Sequence, residues 1–253
     1  MSFELGEIEA IYRYPVKSMR GEALDTVTLG WHGLDGDRRL AFRRLEDAGE
    51  FPWLTASKLP ALVDFTPCRD GHGGELPSHV RTPEGDELPV FGAELAAEIT
   101  RRLGAPVQMM QLKHGMFDEA SISVLTSATA HEICRLAGTH PDVRRFRPNI
   151  VIRSRRGIPF EEDRWVGGVL GFGDTDAAVS VTMRDVRCVM VNLDPDGGSA
   201  SPAMMKAVVR ANQNMAGVYG VVTGIGRLAV GQTVVLRSVA ALAKPDAAHV
   251  RPG

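Results

Sequence analysis

Cys188 is the residue most able to take part in redox or metal chemistry, and it is one of three cysteines in the 253-residue chain. It lies in residues 179–193, where alternating apolar side chains predict a strand. In a regular strand Cys188 shares a polar face with Arg184 and Asn192. A nearby cation would lower the pKa of the thiol and favour nucleophilic or metal-binding chemistry. The alternative interpretation is a small buried hydrophobic residue.

Two further segments carry the side chains expected of an anion-binding site. Arg147 and Asn149 flank Pro148, which is expected to hold Arg147 extended so that both side chains point one way. A guanidinium binds phosphate through two hydrogen bonds, and an amide offers a donor and an acceptor. Lys17 and Ser18 offer a cation and a hydroxyl just past the end of a predicted strand. The alternative for each segment alone is a solvated basic loop.

Composition limits the class of protein. Hydrophobic residues make up 44% and charged residues 24%, which is ordinary for a globular chain. A net charge of −2 argues against non-specific binding to nucleic acid. No apolar run reaches membrane-spanning length, and the acidic N-terminus lacks a signal-peptide pattern, so we expect a cytoplasmic protein with no membrane partner. Three scattered cysteines predict neither a disulfide framework nor an iron–sulfur cluster on this chain.

Two familiar motifs are rejected on their context. Residues 224–229 match a dinucleotide-binding glycine pattern, but the following residues, 230–234, predict a strand where that site requires a helix. His131 and Glu132 begin a metalloprotease pattern, but Arg135 stands where the second histidine is needed.

The elements that must position these residues are mostly short strands with three helices. Helices are predicted over 93–103, over 127–137 after an N-cap at Thr126, and from Pro202 to about Asn212. Strands are predicted over residues 7–14, 24–29, 39–42, 61–65, 150–152, 179–193, 217–222 and 232–236, with a hairpin over 80–90. This pattern favours a mainly β, barrel-like α+β fold. We expect domains at 1–116 and 117–238, and a loose tail at 239–253.

Five motifs occur in a distinctive order along the chain. They are Tyr14-Pro15-Val16-Lys17-Ser18, Gly36-Asp37-Arg38, Leu54-Thr55-Ala56 before Lys58-Leu59-Pro60, Arg145-Phe146-Arg147-Pro148-Asn149, and Arg187-Cys188 with Asp194-Pro195. Their order resembles the MOSC family, the C-terminal domain of molybdenum-cofactor sulfurases, preceded by its N-terminal β-barrel domain. The resemblance covers residues 5–238. Within the family, the chain is similar to the mitochondrial amidoxime-reducing component and its bacterial relatives.

The resemblance implies a molybdenum cofactor, a molybdopterin that carries the metal. Cys188 would be the protein thiolate on molybdenum, a soft ligand that suits this metal. Thr126, at a helix start, is a further candidate for binding the cofactor's anionic part. The residues implied to hold the pterin and its phosphate are Lys17, Ser18, Arg38, Arg147 and Asn149.

The resemblance also implies an activity and a partner. The family's chemistry is the reduction of N-hydroxylated compounds, such as hydroxylamines and amidoximes, to amines or amidines. The ferredoxin and pyridoxal-phosphate domains of larger relatives have no counterpart here, so we expect a separate iron–sulfur or haem electron donor with its reductase, and no pyridoxal phosphate. The short Gly-rich loop, residues 69–78, is expected to alter the substrate mouth. The alternatives are a sulfur carrier with a Cys188 persulfide and a non-catalytic cofactor-binding module.

Overall fold

The computed structural model describes residues 2–70 and 76–238. The tail predicted at 239–253 and the centre of the loop at 69–78 lie outside these residues. The described chain is mainly β, with a closed barrel of seven strands and three α-helices. The predicted α+β, barrel-like fold class is therefore confirmed.

Sixteen strands and three α-helices follow one another in the described chain. The strands are β1 (Ser2–Arg13), β2 (Glu22–Leu24), β3 (Thr26–Gly30), β4 (Gly33–Leu34), β5 (Leu40–Arg44), β6 (Thr66–Cys68), β7 (His79–Arg81), β8 (Glu87–Pro89), β9 (Val107–Gln111), β10 (Ile122–Thr126), β11 (Ile150–Ser154), β12 (Gly168–Phe172), β13 (Ala178–Val186), β14 (Met215–Gly224), β15 (Gly226–Ala229) and β16 (Thr233–Ser238). The helices are α1 (Ala93–Leu103), α2 (Ser127–Ala137) and α3 (Pro202–Asn212).

The barrel closes through β1, which pairs with β16 on one side and with β11 on the other. The order around it is β11-β10-β14-β13-β12-β16-β1, and β2 extends it along part of β1. Gly6 permits the closure, because a Cβ there would lie 2.0 Å from the carbonyl oxygen of Arg153. Alternate residues of each strand, such as Ile8 and Val124, fill the barrel interior.

A second apolar core lies outside the barrel and is built largely from the first half of the chain. The pair β5–β9, the sheet β6-β7-β8 and helix α1 surround it. Helix α1 buries Leu95 and Ile99 against this core. Lys17 and Ser18 come directly after Val16, which is itself buried in it. This core therefore fixes the backbone that presents two of the predicted site residues.

Helices α2 and α3 pack against each other over a third core that includes Ile133 and Val208. The bounds predicted for all three helices are confirmed. Thr126 caps α2 by accepting a hydrogen bond from the Thr129 amide. Gly138 ends α2 in the left-handed conformation, as its position predicts.

Three strand predictions need correction. Residues 61–65 form most of a 3₁₀ helix, Pro60–Asp64, in which Leu62 and Val63 are buried together as in a helical turn. Residues 24–29 are divided between β2 and β3, with Asp25 between them. The strand predicted over 179–193 ends at Val186, and a 3₁₀ helix, Val189–Asn192, follows.

Among the described residues, no helix combines the length and the apolar character needed to cross a bilayer.

Candidate functional site

Lys17, Ser18 and Arg38 converge beside one end of the barrel. The Lys17 amide donates to the Leu40 carbonyl, and the Arg38 amide donates to the Tyr14 carbonyl. Ser18 and Arg38 both have left-handed backbone conformations, with φ of 68° and 49°. Such conformations are strained for residues other than glycine, so the surrounding contacts must hold them. Tight backbone turns therefore bring these side chains together.

Asp37 lies at the centre of this region and is buried. Its Oδ1 accepts from the Tyr14 amide at 2.7 Å. Its Oδ2 accepts from Arg38 Nη1 at 2.5 Å and from Asn149 Nδ2 at 3.1 Å. Asn149 Oδ1 in turn accepts from the Ser123 amide at 3.1 Å and from Arg38 Nη1 at 3.3 Å. The side chain of Asn149 is therefore engaged in holding Arg38 and the start of the barrel strands.

Arg147 differs from its predicted conformation. Pro148 was expected to keep it extended, but Arg147 is left-handed with φ of 51° and terminates the 3₁₀ helix Val143–Phe146. Its side chain stacks on Tyr14, with its guanidinium carbon 4.2 Å from the ring centroid. The guanidinium of Arg38 lies 4.9 Å from the same centroid. One buried tyrosine thus holds two guanidinium groups.

Arg147 has spare capacity to bind an anion. Its Nη1 donates to the Met19 carbonyl at 2.8 Å, whereas its Nη2 and the Tyr14 hydroxyl are buried without a hydrogen-bond partner in the described structure. Burial lowers the pKa of Arg147 to about 10, so the group is short of compensating negative charge. Arg147 and Tyr14 line a cleft with Arg20 and Arg144. Unpaired donors in a cleft of arginines fit a phosphate group.

Lys17 is buried, and it lies close enough to Arg38 and Arg147 for burial and their charges together to lower its pKa. Its Nζ donates to Asp118 Oδ1 at 2.7 Å and to the Met116 carbonyl at 3.3 Å. Burial lowers the pKa of Lys17, while Asp118 opposes that shift. Lys17, Arg38 and Arg147 therefore form a group of three cations, which we call the cationic cluster.

Cys188 does not lie on a strand, in contrast to the sequence prediction. It directly precedes the 3₁₀ helix Val189–Asn192, and its thiol is exposed. The neighbouring Arg187 is buried and donates from Nη1 to the Phe146 carbonyl at 2.6 Å and from Nε to the Ala216 carbonyl at 2.7 Å. Because Phe146 precedes Arg147, these bonds hold the Cys188 backbone close to the segment that carries the cationic cluster. Residues that follow Cys188 line the cleft, including Met190 and Leu193.

A continuous series of polar contacts connects Arg187 to Asn149. The Ser123 hydroxyl donates to Asp185 Oδ2 at 2.9 Å, and Arg187 Nη2 lies 2.7 Å from the same oxygen. Burial raises the pKa of Asp185 to about 6, against the opposing charge of Arg187. The backbone amide of Ser123 completes the series by donating to Asn149. The thiol-bearing segment and the cationic cluster are thus fixed to the same barrel strands.

Thr126 is the one predicted site residue that the structure places elsewhere. It ends β10 next to Ile152 of the parallel strand β11, whereas Arg147 precedes the start of β11. Its hydroxyl, fully buried, donates to Glu162 Oε2 at 2.9 Å. Thr129 donates to the same oxygen at 2.9 Å. Thr126 therefore lies at the far end of β10, bonded to a buried carboxylate.

Glu162 gives a testable pH dependence. Burial raises its pKa to about 7, against opposing hydrogen bonds from Thr129 and Thr126. The folded protein thus binds this proton more tightly than the unfolded chain, and the resulting stabilisation is full below about pH 4.5 and lost as pH rises through 7. We expect the melting temperature of wild type to fall by several degrees, relative to Glu162→Gln, between pH 5 and pH 8. Thermal unfolding at both values measures this.

The control is Glu46→Gln, an identical change at an exposed position. Its melting temperature should follow that of the wild type at both pH values. Equal shifts for wild type and Glu162→Gln would contradict the raised pKa of Glu162.

Three acidic residues at the site, Asp37, Asp118 and Asp185, were not predicted as site residues from the sequence. Asp37 stands inside the quoted Gly36-Asp37-Arg38 motif, so its position beside Arg38 was the available signal. Asp118 and Asp185 carry no motif that marks them. Their roles depend on contacts with Lys17 and Ser123, which are 101 and 62 residues away in sequence.

The side chains present fit a cofactor that brings its own metal ligands. Among the described residues, no group of three or more His, Cys, Asp or Glu side chains could hold a metal ion. Cys188 offers an exposed thiol two residues before Met190, which lines the cleft. A pterin dithiolene supplies further sulfur ligands, and the unpaired Arg147 and Tyr14 donors suit its phosphate.

One solved structure supports the fold. A crystal structure of the YuaD protein from Bacillus subtilis matches with a TM-score of 0.52 and 15% identity, over 94% of this chain and 98% of that one. A crystal structure of YiiM from Geobacillus stearothermophilus matches with a TM-score of 0.36 and 18% identity, over 46% of this chain and 54% of that one. No curated protein sequence matches the chain.

Two protein-family models together match nearly the whole chain. The MOSC N-terminal β-barrel domain matches residues 5–124, and the MOSC domain matches residues 111–235. Family members are associated with the molybdenum cofactor. The chain therefore belongs to the MOSC family, with the N-terminal MOSC β-barrel domain followed by the MOSC domain.

Proposed function

We propose that this protein binds a molybdenum cofactor and reduces N-hydroxylated compounds with electrons from a separate protein. The observation that carries the proposal is the fixed position of Cys188. Its neighbour Arg187 is bonded to the carbonyl of Phe146, directly before Arg147. Cys188 carries an exposed thiol, and Met190 and Leu193, which follow it in the chain, line the cleft in which Arg147 and Tyr14 present unpaired buried donors.

In this proposal the chain binds and orients the cofactor, and molybdenum supplies the two-electron redox chemistry. Cys188 provides the protein thiolate to the metal. Arg147 and Lys17 would bind the phosphate, together with Arg38 and Ser18. Asn149 acts as a positioning residue, because its amide already bonds to Asp37 and to Ser123. Thr126 lies apart from these residues, so the proposal gives it no contact with the cofactor.

The substrate reaction requires two electrons and two protons, and it converts R–NHOH to R–NH2 and water. The exposure of Cys188 leaves room for a small N-hydroxylated substrate near the metal. We assign no substrate identity, since hydroxylamines and amidoximes share the N–O bond that is broken.

Metal analysis and turnover test the proposal together. Purified protein should contain molybdenum in a ratio near one per chain, and it should convert a simple hydroxylamine to the amine with a reduced viologen dye. Labile sulfane sulfur on Cys188 without molybdenum would instead favour the sulfur carrier. Bound molybdenum with no turnover would favour the non-catalytic module.

The source of the electrons gives a further prediction. The glycine pattern at residues 224–226 connects β14 to β15, so no helix begins there to bind a dinucleotide. Three cysteines are too few for a plant-type iron–sulfur cluster. We therefore expect no NADH or NADPH oxidation when the protein and a hydroxylamine are the only other components.

The positive control is the same mixture with reduced viologen, or with a small iron–sulfur or haem protein and its reductase. Redox partners of this kind usually bury less than about 1,200 Å², so we expect no stable complex on purification. Steady NAD(P)H oxidation coupled to amine formation by the protein alone would refute the need for a separate donor.

A further inference from the structure

We infer that Asp118 is a displaceable internal counter-ion of the cationic cluster, and that it selects for ligands whose phosphate can replace its carboxylate. The inference rests on the proposed function, because it concerns the same phosphate-binding residues. It assigns to Asp118 a role in ligand specificity.

Asp118 occupies the position that an anion would take on Lys17. Its Oδ1 lies 2.7 Å from Lys17 Nζ, and its side chain is 61% exposed, while that of Lys17 is 4% exposed. A buried ammonium thus has one carboxylate partner, and that partner extends from the solvent side. An exposed side chain can rotate away without disturbing the packing around it.

The charges around Asp118 are those of the whole cationic cluster. Burial tends to raise its pKa, but Lys17, Arg38 and Arg147 hold that pKa below its usual value. The carboxylate is therefore ionised at neutral pH and attracted by three cations. A phosphate that enters the cluster must compete with this charge directly.

Asp37 shows the contrast between a fixed and a displaceable carboxylate. Both oxygens of Asp37 are bonded, to the Tyr14 amide and to Arg38 and Asn149, and the residue is buried. Among the described residues, the Asp118 side chain forms a hydrogen bond only with Lys17. Asp37 therefore remains in place when a ligand binds, and the carboxylate of Asp118 is the group that the ligand displaces from Lys17.

The backbone beside Asp118 is anchored, so a side-chain rotation is sufficient. The Met116 amide donates to the Arg38 carbonyl at 2.8 Å, and the Met116 carbonyl accepts from Lys17. These bonds keep Met116, two residues before Asp118, against the cluster.

This arrangement discriminates between classes of ligand. An uncharged ligand that moved Asp118 aside would leave the buried Lys17 without a counter-charge, which is costly. A dianionic phosphate replaces the carboxylate with an equal or greater charge and more acceptor oxygens. The site should therefore favour phosphate monoesters over uncharged groups of similar size.

Calorimetric titration of inorganic phosphate into the full chain, produced in a host that makes no molybdenum cofactor, tests the inference. Asp118→Asn keeps the shape of the side chain and removes its charge, so phosphate should bind about tenfold tighter, which corresponds to about 1.4 kcal/mol. The matched control is Glu119→Gln, which removes the same charge from the next residue. Glu119 is exposed and forms no ion pair in the described part of the chain. Its phosphate affinity should equal that of the wild type.

The outcomes separate the two proposals. Tighter binding by Asp118→Asn alone supports the counter-ion role. Measurable binding that is equal in wild type and Asp118→Asn overturns that role and leaves the proposed phosphate site intact. Equal gains in Asp118→Asn and Glu119→Gln also overturn it, because net charge would then explain the effect. Absence of phosphate binding in every variant overturns both the inference and the proposed phosphate site.

Discussion

Replacing Cys188 with serine should abolish molybdenum-dependent activity while leaving the fold intact. Cys188 is exposed, and the exchange of sulfur for oxygen alters no buried packing. Serine is also a favourable residue directly before a helix, so the melting temperature should change little. A hydroxyl is a much harder ligand than a thiolate and binds molybdenum poorly. Loss of an outer-shell partner alone reduces metal affinity or activity about 10–100-fold, so loss of the ligand should cost at least about 100-fold.

The matched control for this variant is Cys68→Ser. Cys68 is half-buried in β6, and its thiol donates to the Thr66 carbonyl at 3.3 Å, a bond that serine can retain. Molybdenum content and turnover with reduced viologen should stay at wild-type values in Cys68→Ser. Wild-type turnover by Cys188→Ser would show that the thiol is not the ligand.

The helices and the overall fold class could be predicted from local signals. The caps at Thr126 and Gly138 mark both ends of α2, and Pro202 marks the start of α3. Barrel strands such as β1 and β13 alternate over part of their length between the barrel interior and the outside, which produces a period-two pattern in sequence. These signals depend only on residues close together in sequence, so they can be recognised without knowledge of the tertiary structure.

The errors arose where contacts distant in sequence override a local pattern. Residues 179–193 alternate like a strand throughout, but Arg187 bonds to the carbonyls of Phe146 and Ala216, and the chain leaves the sheet at that point. Arg147 adopts a left-handed conformation because it ends a 3₁₀ helix, although the residue before a proline usually avoids helical conformations. The bonds of Arg187 have no signature in the sequence around Cys188, whereas the 3₁₀ helix before Arg147 has a local one in its N-cap, Asp142.

The order of the motifs predicts the three residues of the cationic cluster. It does not predict all of the acidic residues that offset their charge. Lys17, Arg38 and Arg147 come from three motifs, and the structure brings them together around Tyr14 and Asp118. Of the acids that accompany them, Asp37 stands inside a quoted motif, whereas Asp118 and Asp185 became visible only as tertiary contacts. Thr126 shows the converse, since a correct prediction of its helix cap did not place it near the cluster.

Replacing Arg147 with lysine should reduce retention of the cofactor although the net charge is unchanged. The guanidinium stacks on Tyr14, donates to the Met19 carbonyl and leaves Nη2 free for a phosphate oxygen. A lysine has no planar fork, so it cannot keep the stacking and both bonds at once. Loss of one hydrogen bond to a charged group costs about 1.5–3 kcal/mol, which corresponds to roughly tenfold to hundredfold weaker binding.

Pterin content after extended dialysis measures this retention, with Arg101→Lys as the control. The Arg101 side chain is 68% exposed and pairs only with Glu98 in the described structure, so its replacement by lysine should leave the pterin content unchanged. Circular dichroism and thermal unfolding of both variants separate a loss of cofactor from a loss of fold. Because Lys17 and the Nη2 atom of Arg147 are buried, added salt should worsen the loss in Arg147→Lys only slightly. Full pterin occupancy in a folded Arg147→Lys protein would mean that the phosphate is held by other groups.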